Sequence, residues 1–130
     1  MDETQLNSVI KIFVIDDNLA ARSVLSRHIK NEKDLEVIGE AGTGQGGIIM
    51  LGELSPDVIM LEAAVSGGMQ LADIIKELEN IAPNAKIILC TDFSHDGQIP
   101  KITHDGQYDF VRKPYVKNTV LRAIRNAVRE

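Results

Sequence analysis

Residues 10–18 read IKIFVIDDN, a short apolar run rich in branched side chains that stops at Asp16, Asp17 and Asn18. Such a run suits a strand covered on both faces, and an asparagine directly after it suits the cap of a following helix. The form recurs along the chain. Residues 57–62 (DVIMLE) run into Glu62, residues 86–91 (KIILCT) into Thr91, and residues 108–112 (YDFVR) into Lys113 and Pro114. Residues 35–41 (LEVIGEA) supply one more strand.

Helical patterns fill the intervals. Leu19, Val24, Leu25 and Ile29, with Ala20 and Ala21, make an apolar stripe opposite Arg22, Ser26 and Lys30. A glycine-rich stretch, 42–47, opens a second helix of Ile48, Ile49, Leu51 and Leu54, ended by Ser55 and Pro56. A third helix is predicted over 69–81, stopped by Pro83. The last sets Val120, Leu121, Ile124, Ala127 and Val128 against Arg122, Arg125 and Arg129. Residues 94–107 carry Gly97, Pro100 and Gly106 where the alternation asks for another helix, so a short, broken or shifted helix is expected there. Strands alternating with helices imply parallel pairing through right-handed crossovers. Five such units predict an α/β fold: a flavodoxin-like, doubly wound five-stranded parallel sheet of order 2-1-3-4-5. The reading is one domain over 1–130, its core at about 10–128.

In an open parallel sheet, ligands bind in the crevice outside the carboxyl ends of the strands. Asp16, Asp17, Glu62, Thr91 and Lys113 all fall at such ends. Three carboxylates, a hydroxyl and an ammonium gathered there can hold a divalent cation and a phosphoryl group. Mg²⁺ suits the acidic pair, because it prefers oxygen ligands and takes one or two carboxylates together with phosphate oxygens. Each piece alone has a plain explanation. An acidic pair in a loop is usually just solvated, a threonine at a strand end is most often structural, and Lys-Pro is common loop chemistry. Their joint spacing carries the weight.

Composition narrows the classes. At 130 residues the chain can bury a core without staples, and no apolar run approaches a membrane span. The polar, acidic start MDETQLNSV is not a secretory signal, so a cytoplasmic protein is the simplest reading. A net charge of −5 argues against direct nucleic-acid binding, which needs a basic patch. The lone Cys90 sits in an apolar run and reads as a buried, inert thiol. His28, His95 and His104 have no clustered carboxylate or thiol at ligand spacing and read as surface or loop residues.

With these residues in place, the chain resembles the receiver domain of two-component response regulators, of the chemotaxis single-domain type. The resemblance implies a signalling module rather than an enzyme. It assigns Mg²⁺ to Asp16 and Asp17, with Glu62 and the backbone carbonyl of Ala64 completing the metal site. It gives Thr91 and Lys113 to the phosphoryl group, and makes Phe110 the aromatic switch. Lys113-Pro114 is followed by an aromatic, here Tyr115, and its peptide bond is usually cis in that family. Ala41 and Gly44 match the family's small-residue spacing at the second helix. The implied partner is a histidine kinase or another signalling protein, with room for a homodimer through the receiver face.

One departure lies at the centre: Glu62 stands where the family carries its phosphoacceptor aspartate. The extra methylene moves the carboxylate outward, and misplacing a nucleophile by ~1 Å can cost on the order of a hundredfold in rate. Around it, Ser66 replaces a usual proline in a loop with one extra residue, and Asp92 replaces a usual small residue beside Thr91. Two readings stay open. One is an interaction module with impaired or lost phosphorylation, holding Mg²⁺ weakly or not at all, and set partly toward one state by Glu62. The other is a phosphorylation-competent switch using Mg²⁺ and a histidine kinase. A remoter alternative is a dinucleotide-binding fragment, since Gly42, Gly44 and Gly47 satisfy G-x-G-x-x-G and Glu62 lies 20 residues beyond Gly42. No Gly-Lys-Ser/Thr follows those glycines, which excludes a Walker-type phosphate loop.

Overall fold

Successive side chains of a strand point to opposite faces, and the apolar runs use both. From strand β1 (Ile10–Ile15), Ile12 and Val14 enter one core while Phe13 and Ile15 enter the other. The structure is a computed structural model that describes residues 8–64, 68–92 and 108–129. Its further strands are β2 (Leu35–Ala41), β3 (Val58–Glu62), β4 (Lys86–Thr91) and β5 (Asp109–Arg112). All pair in parallel, in the order β2-β1-β3-β4-β5. This is the flavodoxin-like arrangement expected, with the change of winding direction beside β1 and β3.

Helices α1 (Leu19–Lys30) and α4 (Lys117–Arg129) cover one face, where Leu25, Ile29, Val120 and Ile124 meet Val14, Met60 and Ile88. Helices α2 (Gly44–Leu51) and α3 (Leu71–Ile81) cover the other, where Leu51, Ile74 and Leu78 meet Phe13, Ile59 and Leu89. Burial of these side chains on both faces supplies the main folding drive. Asn18 caps α1 as expected, its Oδ1 accepting from the Ala21 amide at 2.9 Å.

Several local expectations are corrected. Helix α2 begins inside the glycine stretch, because Thr43 caps it and accepts from the Gly46 amide at 2.9 Å. It ends at Leu51 rather than running to Leu54. Beyond it the amides of Gly52, Glu53 and Leu54 turn back to carbonyls three residues earlier, so the chain tightens before Pro56 is reached. Its glycines serve packing: a Cβ on Gly44 would fall 2.6 Å from Ile74 Cδ1, and one on Gly47 would fall 2.6 Å from Ile15 Cδ1. Leu19 and Val128, which the periodicity puts on apolar stripes, are exposed, each at an end of its helix. Helix α3 starts two residues later than expected, β3 one later and β5 one later. The expected irregular stretch 94–107, Ser66, His95 and His104 lie outside the described residues.

Candidate functional site

At the carboxyl ends of β1, β3 and β4, three polar side chains are drawn almost completely inside: Asp16 is 2 % exposed, Glu62 6 % and Thr91 0 %. Each continues a strand whose preceding residues are core, so the sheet itself carries them inward. Buried carboxylates need a compensating charge, and Lys113 provides it from the turn after β5. Its Nζ donates to Asp16 Oδ2 at 2.8 Å and stands 3.2 Å from Glu62 Oε2 as an ion pair. The other Asp16 oxygen accepts from the Asn18 amide at 2.9 Å. Burial works against the ammonium's charge, but the hydrogen bond to Asp16 and the charge of Glu62 outweigh it, leaving the Lys113 pKa above its ordinary value.

Lys113 is held there by its amide, which donates to the Thr91 carbonyl at 2.6 Å and extends the β4–β5 pairing. The Lys113–Pro114 bond is cis. Tyr115 follows, with its ring 5.9 Å from Lys113 Nζ and its hydroxyl against Cys90. Burial pushes the Cys90 thiol up to about 12 and raises the Tyr115 phenol as well, so neither ionises at neutral pH. Cys90 is therefore an inert core residue, as read from its sequence context.

The remaining candidates are arranged less closely. Asp17 is exposed beside Asp16, and Ala64 lies in the turn after β3, which is tied to β4 by the Ala63 amide donating to the Cys90 carbonyl at 2.8 Å. Thr91 Oγ1 donates to the Asp92 carbonyl at 2.9 Å, which directs its proton along its own loop. Phe110 is 46 % exposed on β5, with the Arg112 guanidinium 5.7 Å from its ring centre. Asp16, Glu62, Thr91 and Lys113 thus share one cleft, with Asp17 at its exposed side and Phe110 turned to solvent.

Among the described residues, no group of three or more His, Cys, Asp or Glu side chains is gathered closely enough to hold a metal. The oxygen donors Asp16, Asp17 and Glu62 fit Mg²⁺ in kind, but Lys113 takes the position between the two buried ones.

Two residues escaped the sequence reading. Periodicity puts Arg22 on the polar face of its helix, yet its Nη1 donates to the Asp16 carbonyl and its Nε to Glu40 Oε1 at 3.1 Å. The available signal was its place four residues after the Asn18 cap, in the first turn of α1, where a long side chain can reach back over the loop. Glu40 gave no local signal, because its partner is 18 residues away. The glycines of the dinucleotide alternative are accounted for differently. Gly44 and Gly47 are buried against Ile74 and Ile15, with no space there for a phosphate.

Among the described residues no helix is long and apolar enough to cross a membrane. The response regulator receiver domain family matches residues 12–125. The chain is 31 % identical over 119 residues to the transcriptional regulatory protein LiaR of Bacillus subtilis, covering 92 % of this chain and 56 % of that one. It is 31 % identical over 114 residues to the chemotaxis protein CheY of Thermotoga maritima, covering 88 % of this chain and 93 % of CheY. It therefore spans about half the length of LiaR and nearly all of CheY. Among solved structures, the response regulator domain of Thermotoga maritima CheB superposes with a TM-score of 0.81 at 26 % identity, over 94 % of this chain and 98 % of that one. A receiver domain protein from Clostridium thermocellum, at 24 % identity and a TM-score of 0.80 over 93 % and 95 % of the two chains, shares the fold. With the family matched over most of its length, this chain belongs to the response regulator receiver domains.

Proposed function

We propose that this receiver domain is an interaction module of two-component signalling in which transfer of a phosphoryl group to the β3 position is impaired or lost. The observation that carries the reading is Glu62: a buried carboxylate, one methylene longer than aspartate, engaged at 3.2 Å by Lys113. In-line attack on a phosphodonor needs the nucleophile within a few tenths of an ångström of its productive place. A shift of ~1 Å costs on the order of a hundredfold. Asp92 adds a negative charge beside Thr91, where an incoming phosphate would be repelled. Residues 1–130 act as one domain in this reading, in the cytoplasm, with a histidine kinase or another signalling protein as partner. The exposed Phe110 and Val116 offer that partner an apolar contact surface, which also serves a homodimer.

Glu62 acts as a partial mimic of the phosphorylated state. It supplies the contact to Lys113, while the Thr91 hydroxyl is directed to Asp92 and Phe110 remains outward. A side chain shifts a conformational equilibrium only by its differential interaction with the two states. One of three features gives a mixed population, not a locked one. Mg²⁺ held weakly by Asp17, Asp16 and Glu62, with the Ala64 carbonyl, would neutralise charge in the cleft.

The competing reading, a phosphorylation-competent switch, draws on the retention of Asp16, Asp17, Thr91 and Lys113 around the cleft. Glu62→Asp treated with acetyl phosphate and Mg²⁺, then weighed intact, separates them. The expected result is a largely unmodified protein, because Asp92 and the altered loop persist. Rapid, stoichiometric phosphorylation would show that only the acceptor had been lost.

A further inference from the structure

The geometry points to Arg22 as a positioning residue that, anchored by Glu40, fixes the Asp16–Asp17 loop and so sets the affinity of the acidic cleft for a divalent cation. This rests on the reading of the cleft as a cation site and adds to it a control element, Glu40, on β2.

Arg22 bridges two elements. Its Nη1 donates to the backbone carbonyl of Asp16, and its Nε donates to Glu40 Oε1 at 3.1 Å. Glu40 is held from its other oxygen by Ser26 Oγ at 3.4 Å. The guanidinium lies over Gly42, where a Cβ would come 3.7 Å from Nη1. The Arg22 side chain is only 18 % exposed and that of Glu40 39 %, so the pair is partly shielded from water.

The bond goes to the carbonyl that opens the loop. On one side of it, the Asp16 amide is held by the Ala41 carbonyl at 3.0 Å; on the other, the Asn18 amide donates to Asp16 Oδ1 at 2.9 Å. With the amide, the carbonyl and both carboxylate oxygens of Asp16 engaged, the peptide leading to Asp17 has little freedom. The placement of the Asp17 backbone follows from that peptide. Only a guanidinium serves here, because its donors point in fixed, divergent directions and can satisfy a carbonyl and a carboxylate on different strands. A lysine ammonium would have to choose one. Groups that orient metal-binding carboxylates typically change affinity by 10–100-fold when removed.

The test uses the full chain and ¹⁵N-labelled NMR, following Mg²⁺ titration at the Asp17 and Asn18 amides and, without metal, the hydrogen exchange of the Asn18 amide. Arg22→Gln is expected to weaken Mg²⁺ by on the order of tenfold or more and to speed Asn18 exchange, with core amides of β1 and β3 unchanged. Glu40→Ala should do the same. Glu40→Gln, which keeps an acceptor for Arg22, should retain the protected Asn18 amide, a rescue that a merely structural loss would not show. Arg22→Gln in the Glu40→Ala background should add nothing. If Arg22→Gln leaves both quantities within about twofold of the native chain, or if the two substitutions add independently, the inference is overturned. If the native chain does not respond to millimolar Mg²⁺, the cation reading of the cleft fails by itself. Asn18 exchange in the metal-free protein then decides the role of Arg22.

Discussion

Replacing Lys113 with methionine removes the only side-chain cation placed between Asp16 and Glu62 among the described residues, and the cost can be worked from the geometry. The ammonium lies 2.8 Å from Asp16 Oδ2 and 3.2 Å from Glu62 Oε2, with side-chain exposures of 18 %, 3 % and 7 % for Lys113, Asp16 and Glu62. At an effective dielectric of about 20, unit charges at those separations attract by about 6 and about 5 kcal/mol. Most of this is offset by the cost of desolvating the three groups. The side chain of methionine fills the space of the lysine stem but removes a charge that pairs with two buried carboxylates, a change that costs about 3–5 kcal/mol. The pH dependence has a definite sign. The Lys113 pKa is raised above 10.5 in the fold, so its stabilisation is fully present below that value and is lost as pH rises through the higher folded pKa. Urea denaturation followed by circular dichroism should therefore show a loss of about 3–5 kcal/mol at pH 7 that narrows above pH 10.5. Adding Mg²⁺ should stabilise the variant more than the native chain, since the space between the carboxylates is freed. A loss below about 1 kcal/mol, the range of exposed ion pairs, would refute the view of Lys113 as the charge that holds the cleft together. So would a gap that does not change in alkali.

Gly47→Ala places a methyl 2.6 Å from Ile15 Cδ1 and 2.9 Å from its Cγ1. Ile15 is fully buried and cannot swing away. Overpacking of about 1–3 kcal/mol then outweighs the helix-propensity gain of about 1 kcal/mol, and thermal denaturation should show a lower Tm; an unchanged or higher Tm would contradict the packing role. Arg125 joins α4 to the α1–β2 turn through Asp34 at 2.7 and 2.9 Å and Glu32 at 2.8 Å. Its hydrogen bond to Asp34 holds that carboxyl below the ordinary 3.8, so the contribution is present above 3.8 and is lost as pH falls through the lowered value. Because the groups remain partly exposed, Arg125→Ala should cost only about 0.5–1 kcal/mol at pH 7. Denaturation profiles of the two proteins should converge in acid.

Much of this fold was legible because alternation and interruption coincide. The strands at β1, β2 and β4 end where apolar runs meet Asp16, Gly42 and Asp92, and buried parallel strands leave few other ways to read such runs. The glycines of α2 were not legible as helix, since their role is contact with Ile15 and Ile74, residues distant in sequence. Periodicity gives the stripe of α1 and α4 but not which of its end residues stay in water, as Leu19 and Val128 do. The strand-end placement of Asp16, Glu62, Thr91 and Lys113 was legible, since all end strands or follow them. The internal hydrogen bonding of the cleft was not foreseen. Neither the Thr91 hydroxyl turning to Asp92 nor Arg22 reaching Asp16 and Glu40 follows from spacing, because each depends on a rotamer and on a partner brought near by folding.

The central claim concerns Glu62, and the native chain tests it most directly. Incubation with acetyl phosphate and Mg²⁺, followed by intact-mass measurement, should leave the mass unchanged over a time in which a phosphorylation-competent receiver is fully modified. A gain of one phosphoryl group, mapped to the peptide containing Glu62, would contradict the account and restore the phosphorylated switch.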